Sequence, residues 1–239
     1  MTPAAGLLER LKRTRDPVLR HVLLRSRGLA HAATHGHAVR DARLRAYLAQ
    51  NAEPKLHIGA GQQRIAGWLN TDLIAGEVHV DLLRRLPFAD DAFAFAFGEH
   101  LIEHLDDAQG AALLRELHRV LRPGGVLRLT TPDLRKIIAL YEDRNEVIGR
   151  ADYMRFLSEL TGRPHDRAAQ MFNDYLRLWG HQWVYDEEDL TAALVGAGFA
   201  TVRRHPTGES DLAALRGLER HGGAEWVNRA EAMCLEATV

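Results

Sequence analysis

The chain has 239 residues, a formal net charge of −1 and 46% hydrophobic residues, enough to bury one sizeable core. Charge so near zero argues against a protein that lives on nucleic acid, and no apolar run approaches the length that spans a bilayer. Cys234 is the single cysteine, so no internal disulfide forms, which fits a reducing, cytoplasmic setting.

Residues 1 to about 50 are rich in Arg, Leu and Ala. Arginine interrupts the apolar residues every few positions, unlike a signal peptide. Leu7, Leu8, Leu11, Val18, Leu19, Val22 and Leu23 fall near helical spacing and predict one or two amphipathic helices with a basic outer face. Such a face is ordinarily solvated; contact with a membrane surface or a partner is its other use.

From residue 55 the texture becomes strand, turn, helix. Lys55 to Ile58 reads as a short strand running into Gly59-Ala60-Gly61. Trp68 to Asp72, Glu77 to Asp81 and Ala92 to Phe97 read as the next three strands. Asp106 and Asp107 offer a helix N-cap, and Leu113, Leu114, Leu117, Val120 and Leu121 share one helical face. Pro123-Gly124-Gly125 stops that helix, and Val126 to Thr130 is a fifth strand. Strands alternating with helices across short glycine turns predict a mostly parallel α/β sheet covered by helices.

Residues 133 to about 185 break this rhythm. They are helical in propensity and aromatic, with Tyr141, Tyr153, Phe156, Phe172, Tyr175, Trp179, Trp183 and Tyr185. The segment suits a lid or substrate wall inserted after the fifth strand, or a helical cap on the sheet. Asp186 with Asp189 marks the next helix start, and Gly196 and Gly198 its end. Phe199 to Arg204 and Met233 to Thr238 read as the last two strands.

Glycine after the first strand lets the backbone turn sharply and a ligand approach closely. Arg64 stands where a dinucleotide fingerprint places its third glycine. Asp72, followed by Leu73, ends the second strand, where a carboxylate can take both hydroxyls of a ribose. Asp81-Leu82 ends the third, where an acid can meet an exocyclic amine and an apolar neighbour can pack on adenine. Gly98-Glu99-His100 ends the fourth. Four such groups at successive strand ends point to a ligand site at the carboxyl edge of the sheet.

The run from Leu56 to Asp133 resembles class I S-adenosylmethionine (SAM) methyltransferases. Within them it is similar to small bacterial predicted methyltransferases associated with cell-surface polysaccharide gene clusters. The residues that carry the resemblance are Leu56 to Gly61, Gly67-Trp68-Leu69-Asn70-Thr71-Asp72, Asp81 with Leu86-Pro87-Phe88, Glu99 to Leu105, and Leu121-Arg122-Pro123-Gly124-Gly125. The resemblance implies a Rossmann-like seven-stranded sheet whose last strand is antiparallel. With it go a helical extension over 1–50, a methyltransferase domain over 51–239 and a lid over 133–185. It further implies SAM on Gly59, Ala60 and Gly61, with Asp72 on the ribose. His57 lies where many such enzymes carry an acid, which leaves the partner of the methionine amine open, with Glu99 a candidate.

Methyl transfer is an in-line displacement, so the protein must align the acceptor, exclude water and relieve a hydroxyl acceptor of its proton. His100 and His104 are four apart and would share a face on a helix; histidine suits proton transfer near neutral pH. His181 and Asp133 are further candidate bases. His100-Leu101-Ile102-Glu103-His104 is not the H-E-x-x-H zinc pattern, so no metal is expected. Trp179, Trp183 and Tyr185 are either an acceptor wall or lid core. Arg128, Arg135 and Arg177 are candidates to meet an anionic acceptor. The expected partner is a small-molecule or sugar acceptor. Weighed against this enzyme are a SAM-binding, non-catalytic regulatory protein of the same fold and a nucleotide-dependent oxidoreductase. The missing third glycine speaks against the latter. No nucleic-acid methyltransferase motif is present.

Overall fold

Strands β1 (Lys55–Ile58), β4 (Phe93–Glu99) and β5 (Leu121–Pro132) are nearly continuous runs of buried residues. That is the pattern of central parallel strands covered on both faces. The computed structural model describes residues 37–220 and 225–239. The remaining strands are β2 (Leu69–Asp72), β3 (Val78–His79), β6 (Thr201–His205) and β7 (Ala232–Thr238). They form one seven-stranded sheet of order β3-β2-β1-β4-β5-β7-β6. Strands β1 to β5 pair in parallel. β7 runs antiparallel between β5 and β6. This is the expected Rossmann-like arrangement, with the last strand reversed.

Successive residues of a strand face opposite layers. Ala96 and Leu127 enter the main core, with Leu113, Leu114 and Leu117 of one helix (α2, Asp107–Val120) and Leu190 and Leu194 of another (α6, Glu187–Ala197). Phe97 and Val126 enter the other layer, with Trp68, Leu215 and Leu218. Asp106 caps α2 in a capping box with Gln109, and the Asp186 side chain accepts from the N–H of Asp189 to cap α6. A helix over His37–Gln50 (α1) packs Leu44, Tyr47 and Leu48 on the main core. The Tyr47 hydroxyl accepts from Lys55 N–H at 2.8 Å, tying α1 to the first strand. The amphipathic stretch expected from Leu7 to Leu23, with its membrane or partner contact, lies outside the described residues. Among those described, no helix is long and apolar enough to cross a membrane.

Between β5 and α6 the chain makes three helices, α3 (Leu134–Tyr141), α4 (Arg150–Thr161) and α5 (Ala168–Arg177). Ile137, Leu140, Tyr153, Leu157, Met171 and Tyr175 give them a core of their own. A last helix, α7 (Glu225–Glu231), leads into β7.

Several expected boundaries shift. The third strand shrinks to Val78–His79, leaving Asp81 beyond its end. α2 ends at Val120, before Pro123-Gly124-Gly125, because Leu121 already pairs with Phe93. The Pro-Gly-Gly run then bulges from the long strand β5, and a register shift follows at Phe95. Gly196 lies inside α6; Gly198, with φ 113°, ends it.

Candidate functional site

The sheet order reverses between β1 and β4, and open α/β sheets bind ligands at the carboxyl end of such a switch point. Ile58 and Gly98 pair there in register. A Cβ on Gly98 would press on Ile58 and Leu129 at 3.1–3.2 Å. Gly59 and Gly61 follow with φ of 61° and 55°, a region glycine enters without penalty. Ala60, buried between them, donates its N–H to Thr71 O at 2.9 Å. Gly61 N–H donates to Asp72 Oδ2 at 3.0 Å. The turn after β1 is therefore fastened to the end of β2.

Asp72 also accepts from Ile74 and Ala75 N–H at 2.7 and 3.0 Å. An ionised carboxylate has about four acceptor positions; as arranged, Asp72 keeps one, on Oδ2, where two hydroxyls were expected. A Cβ on Gly61 would meet nothing within 4 Å, so the turn opens on free space beside that carboxylate. Arg64, in the place of a third glycine, reaches back to Gly61 O and Ala75 O. His57 is buried beneath the turn, its Nδ1 3.0 Å from Asn70 Oδ1. Burial pulls its pKa down, more than the Asn70 bond and the Asp72 charge restore.

Other expected groups are placed more loosely. Leu73 is half-buried and its carbonyl meets His79 Nδ1 at 2.9 Å. Asp81 accepts from Leu83 N–H at 3.0 Å and pairs with Arg84 at 3.2 Å. Leu82 packs on the main core. Glu99, ending β4, accepts from Arg220 N–H at 2.9 Å on both oxygens, with the Asn228 amide at 3.4 Å.

His100 and His104 do not share a helix face. His100 takes a left-handed φ of 46° directly after β4, and the helical turn starts only at Ile102, running to His104. The bend instead folds His100 Nδ1 to 3.1 Å from Glu103 Oε1, and sets its Nε2 3.4 Å from Asn228 Oδ1. Both partners offer oxygen acceptors, which favours the charged form of the ring. Burial opposes that charge, but the Glu103 bond and the charges of Glu103, Glu231 and Glu99 outweigh it and raise the pKa.

Glu103, between the two histidines, is fully buried. Its Oε2 accepts from the Thr131 hydroxyl at 3.0 Å. Burial pushes its pKa up, yet the His100 bond and the charges of His100, His104 and His181 lower it to about 2. The segment after α5 docks on this turn through its backbone. Gln182 and Trp183 N–H donate to Glu103 O at 2.7 and 3.3 Å, and the Gln182 amide donates to His104 O at 2.5 Å. That docking brings the His181 ring to 5.3 Å from the His104 ring. His181 Nδ1 lies 2.9 Å from Tyr175 O, so it carries the hydrogen and leaves the lone pair on Nε2. Burial pulls His181 down to about 4, so the ring is neutral. Trp179 (φ 59°) and Gly180 (φ 86°) bend the docking segment just before it.

The remaining candidates are taken up elsewhere. Asp133 caps α3 through Arg135 N–H and pairs with Arg204 at 2.7 Å, so both its oxygens are engaged. Arg128 is buried in β5 between Glu219 and Glu236, which take up its charge. Arg135 pairs weakly with Asp186, and Arg177 with Asn173. Tyr185 belongs to the main core, Trp179 packs on the insert core, and Trp183 is exposed with its N–H on Asp189. A cavity of about 300 Å³ lies farther along the edge, by Lys136, Arg204 and Met233. Its cations are spent internally, Lys136 on Arg229 O and Ala232 O, Arg204 on Asp133 and Glu187.

Sequence reasoning missed Asn228 and Glu231, which α7 carries to His100 and to the buried Tyr153 hydroxyl. Nothing in the local pattern of residues 225–231 marks them, because their partners are far away in the chain.

The chain matches the methyltransferase domain family over residues 42–204, more than half its length. It is 36% identical over 124 residues to the ubiquinone/menaquinone biosynthesis C-methyltransferase of Desulfotalea psychrophila. That match covers 49% of this chain and 44% of the relative, so it spans less than half of the relative's length. Among solved structures, a SAM-dependent methyltransferase from Mesorhizobium loti is 20% identical, with TM-score 0.47, covering 83% of this chain and 96% of that one. Another, from Archaeoglobus fulgidus, is 16% identical, with TM-score 0.46, covering 88% and 98%. The family match, spanning the glycine turn, Asp72 and the Glu99–His104 run, identifies the chain as a member of the methyltransferase domain family.

Proposed function

We propose that this protein is a SAM-dependent methyltransferase acting on a small-molecule or glycan-type acceptor. The observation that carries the reading is the switch-point turn. Two left-handed glycines shape it, and the second, Gly61, opens on free space beside Asp72, a carboxylate with an acceptor position to spare. That set fits SAM. Gly59, Ala60 and Gly61 offer backbone, Asp72 takes a ribose hydroxyl and Leu73 follows it. Asp81 and Leu82 serve the adenine side, and Gly98 and Glu99 the methionine side. When bound, the cofactor supplies a methyl group on a sulfonium that is already a good leaving group.

The chain's own residues bind, orient and manage the acceptor proton. Glu99, steadied by Arg220 N–H and Asn228, borders the turn from β4. His100 is a positioning residue that holds Glu103. His104 and His181 meet the acceptor, and the neutral His181 has the lone pair to take a proton. The insert over 133–185 is the acceptor wall, supported by its docking on Glu103. A cytoplasmic place of action belongs to the same proposal, since an unpaired Cys234 fits a reducing compartment.

Calorimetric titration with SAM tests the reading. Wild type should bind in the micromolar range. Asp72→Ala should weaken binding by about 10-fold or more, the worth of one hydrogen bond to a charged group. Binding of NAD in place of SAM, or unchanged affinity in Asp72→Ala, overturns it. Acceptor screens begin with sugars of cell-surface polysaccharides, as the sequence resemblance suggests. They include aromatic carbon acceptors, because the 36% identical relative is a C-methyltransferase.

A further inference from the structure

Glu103, His104 and His181 each offer one ligand atom, and these atoms all lie within 4.8 Å of one another. We propose that the three residues bind a single first-row divalent transition cation, beside the cofactor turn and on the acceptor side of it. The binding site itself stands on ligand chemistry; its use on an acceptor rests on the methyltransferase reading.

Two imidazoles and one carboxylate suit zinc, cobalt, manganese or iron. Magnesium and calcium prefer all-oxygen shells. Ligand atoms at about 2.1 Å from a common ion stand about 3–4 Å apart, so small side-chain rotations close the set. Three protein ligands leave coordination positions for water or an acceptor oxygen, as in catalytic rather than structural sites.

The surrounding bonds are those that a metal site needs. A ligating histidine commonly donates its other ring N–H to a carbonyl or carboxylate, which fixes the tautomer. His181 does so to Tyr175 O at 2.9 Å, leaving Nε2 as the donor atom. The ligating carboxylate is oriented from both sides, by the Thr131 hydroxyl and by His100. Ligand spacing is locked by backbone bonds from Gln182 and Trp183 to Glu103 O. Two non-glycine residues held at positive φ, His100 and Trp179, flank the cluster. Such strain costs on the order of 1–3 kcal/mol each and gathers at functional sites.

With the ion bound, the His181 lone pair belongs to the metal. A coordinated acceptor hydroxyl then loses its proton to water more readily than a free one. His104 and His181 thereby act on the acceptor through the ion.

The test uses the full chain without an affinity tag, stripped with EDTA and titrated with Co²⁺, read by visible d–d absorption and by metal content. One Co²⁺ per chain should bind at micromolar affinity or better. His104→Ala and His181→Ala should each weaken it by more than the roughly 10–100-fold that loss of an outer-shell partner costs, while thermal melts in EDTA stay near wild type. His181→Gln, which keeps size and polarity, replaces any alanine variant that fails to fold. No stoichiometric Co²⁺, or Co²⁺ binding that survives these variants, overturns the inference. SAM titration of the same EDTA-treated protein separates the two claims. SAM binding without a Co²⁺ site defeats only the metal, and a Co²⁺ site without SAM binding defeats only the cofactor reading.

Discussion

Replacing Arg128 with methionine should cost about 4 kcal/mol of stability, within the range for breaking a buried ion pair from one side. Arg128 is fully buried. Its Nε meets Glu219 at 2.8 Å, and its Nη1 meets Glu236 at 2.5 Å and Glu209 O at 2.9 Å. Three charge-assisted bonds at about 1.5–3 kcal/mol each set an upper figure near 5–9 kcal/mol. The realised loss is smaller. Glu219 keeps the Thr130 hydroxyl at 3.0 Å and Gly208 N–H at 3.1 Å, Glu236 keeps His205 at 3.3 Å, and methionine fills most of the volume. For a chain of this size the melting temperature should fall by about 8–16 °C. Urea unfolding followed by far-ultraviolet circular dichroism gives the free energy directly. Adding Glu219→Gln and Glu236→Gln to Arg128→Met should recover most of the loss, because the uncompensated charges go with the arginine. A loss below about 1 kcal/mol, too small for a broken buried pair, would refute the reasoning. So would a triple variant no more stable than the single one.

Gly61, in the turn, and Gly76, packed on the backbone of Asp72, should fail in different ways. Gly61→Ala strains a left-handed residue by about 1–2 kcal/mol and aims its methyl into the open turn, so SAM affinity should drop far more than stability. Gly76→Ala places its Cβ 2.2 Å from the backbone nitrogen of Asp72, so the fold itself should suffer; a melt near wild type would show that packing is misread. His57 gives a pH dependence. Its folded pKa is lowered, first by burial, with Arg64 adding and Asn70 and Asp72 opposing. The unfolded chain takes up the proton near pH 6.5 and the folded chain does not. Stability is therefore full above that pH and is lost as pH falls toward the folded value. His57→Gln retains a donor for Asn70 without titrating, so its urea midpoint should drop less between pH 7.5 and 5.5; equal drops would sink the assignment.

The sheet was legible because its signals are local. Glycine after Ile58, Asp after Thr71 and Asp106 before a leucine-rich helix each follow from turn or cap chemistry within a few residues. The strand-end groups proposed for the cofactor could be named for the same reason. The acceptor side was less legible. Reading His100 and His104 by helical spacing presumed a helix, whereas the positive φ at His100 places it before the helical turn that begins at Ile102. His104 found His181 across a long insertion. Arg128 looked like an anion receptor because its partners, Glu219 and Glu236, lie in a loop and a strand that no short-range pattern connects to it.

β7 lies between β5 and β6, although it follows both in the chain. Until it is made, β6 has no strand to pair with, and the edge of β5 is bare. The helix just before β7 carries Asn228 to His100 and Glu99, and Glu231 to Tyr153. During synthesis, then, the residues that hold His100 in place arrive with the strand that closes the sheet. A chain that has buried much of the main core still lacks the partners of His100 and Glu99 until the segment that closes the sheet is in place.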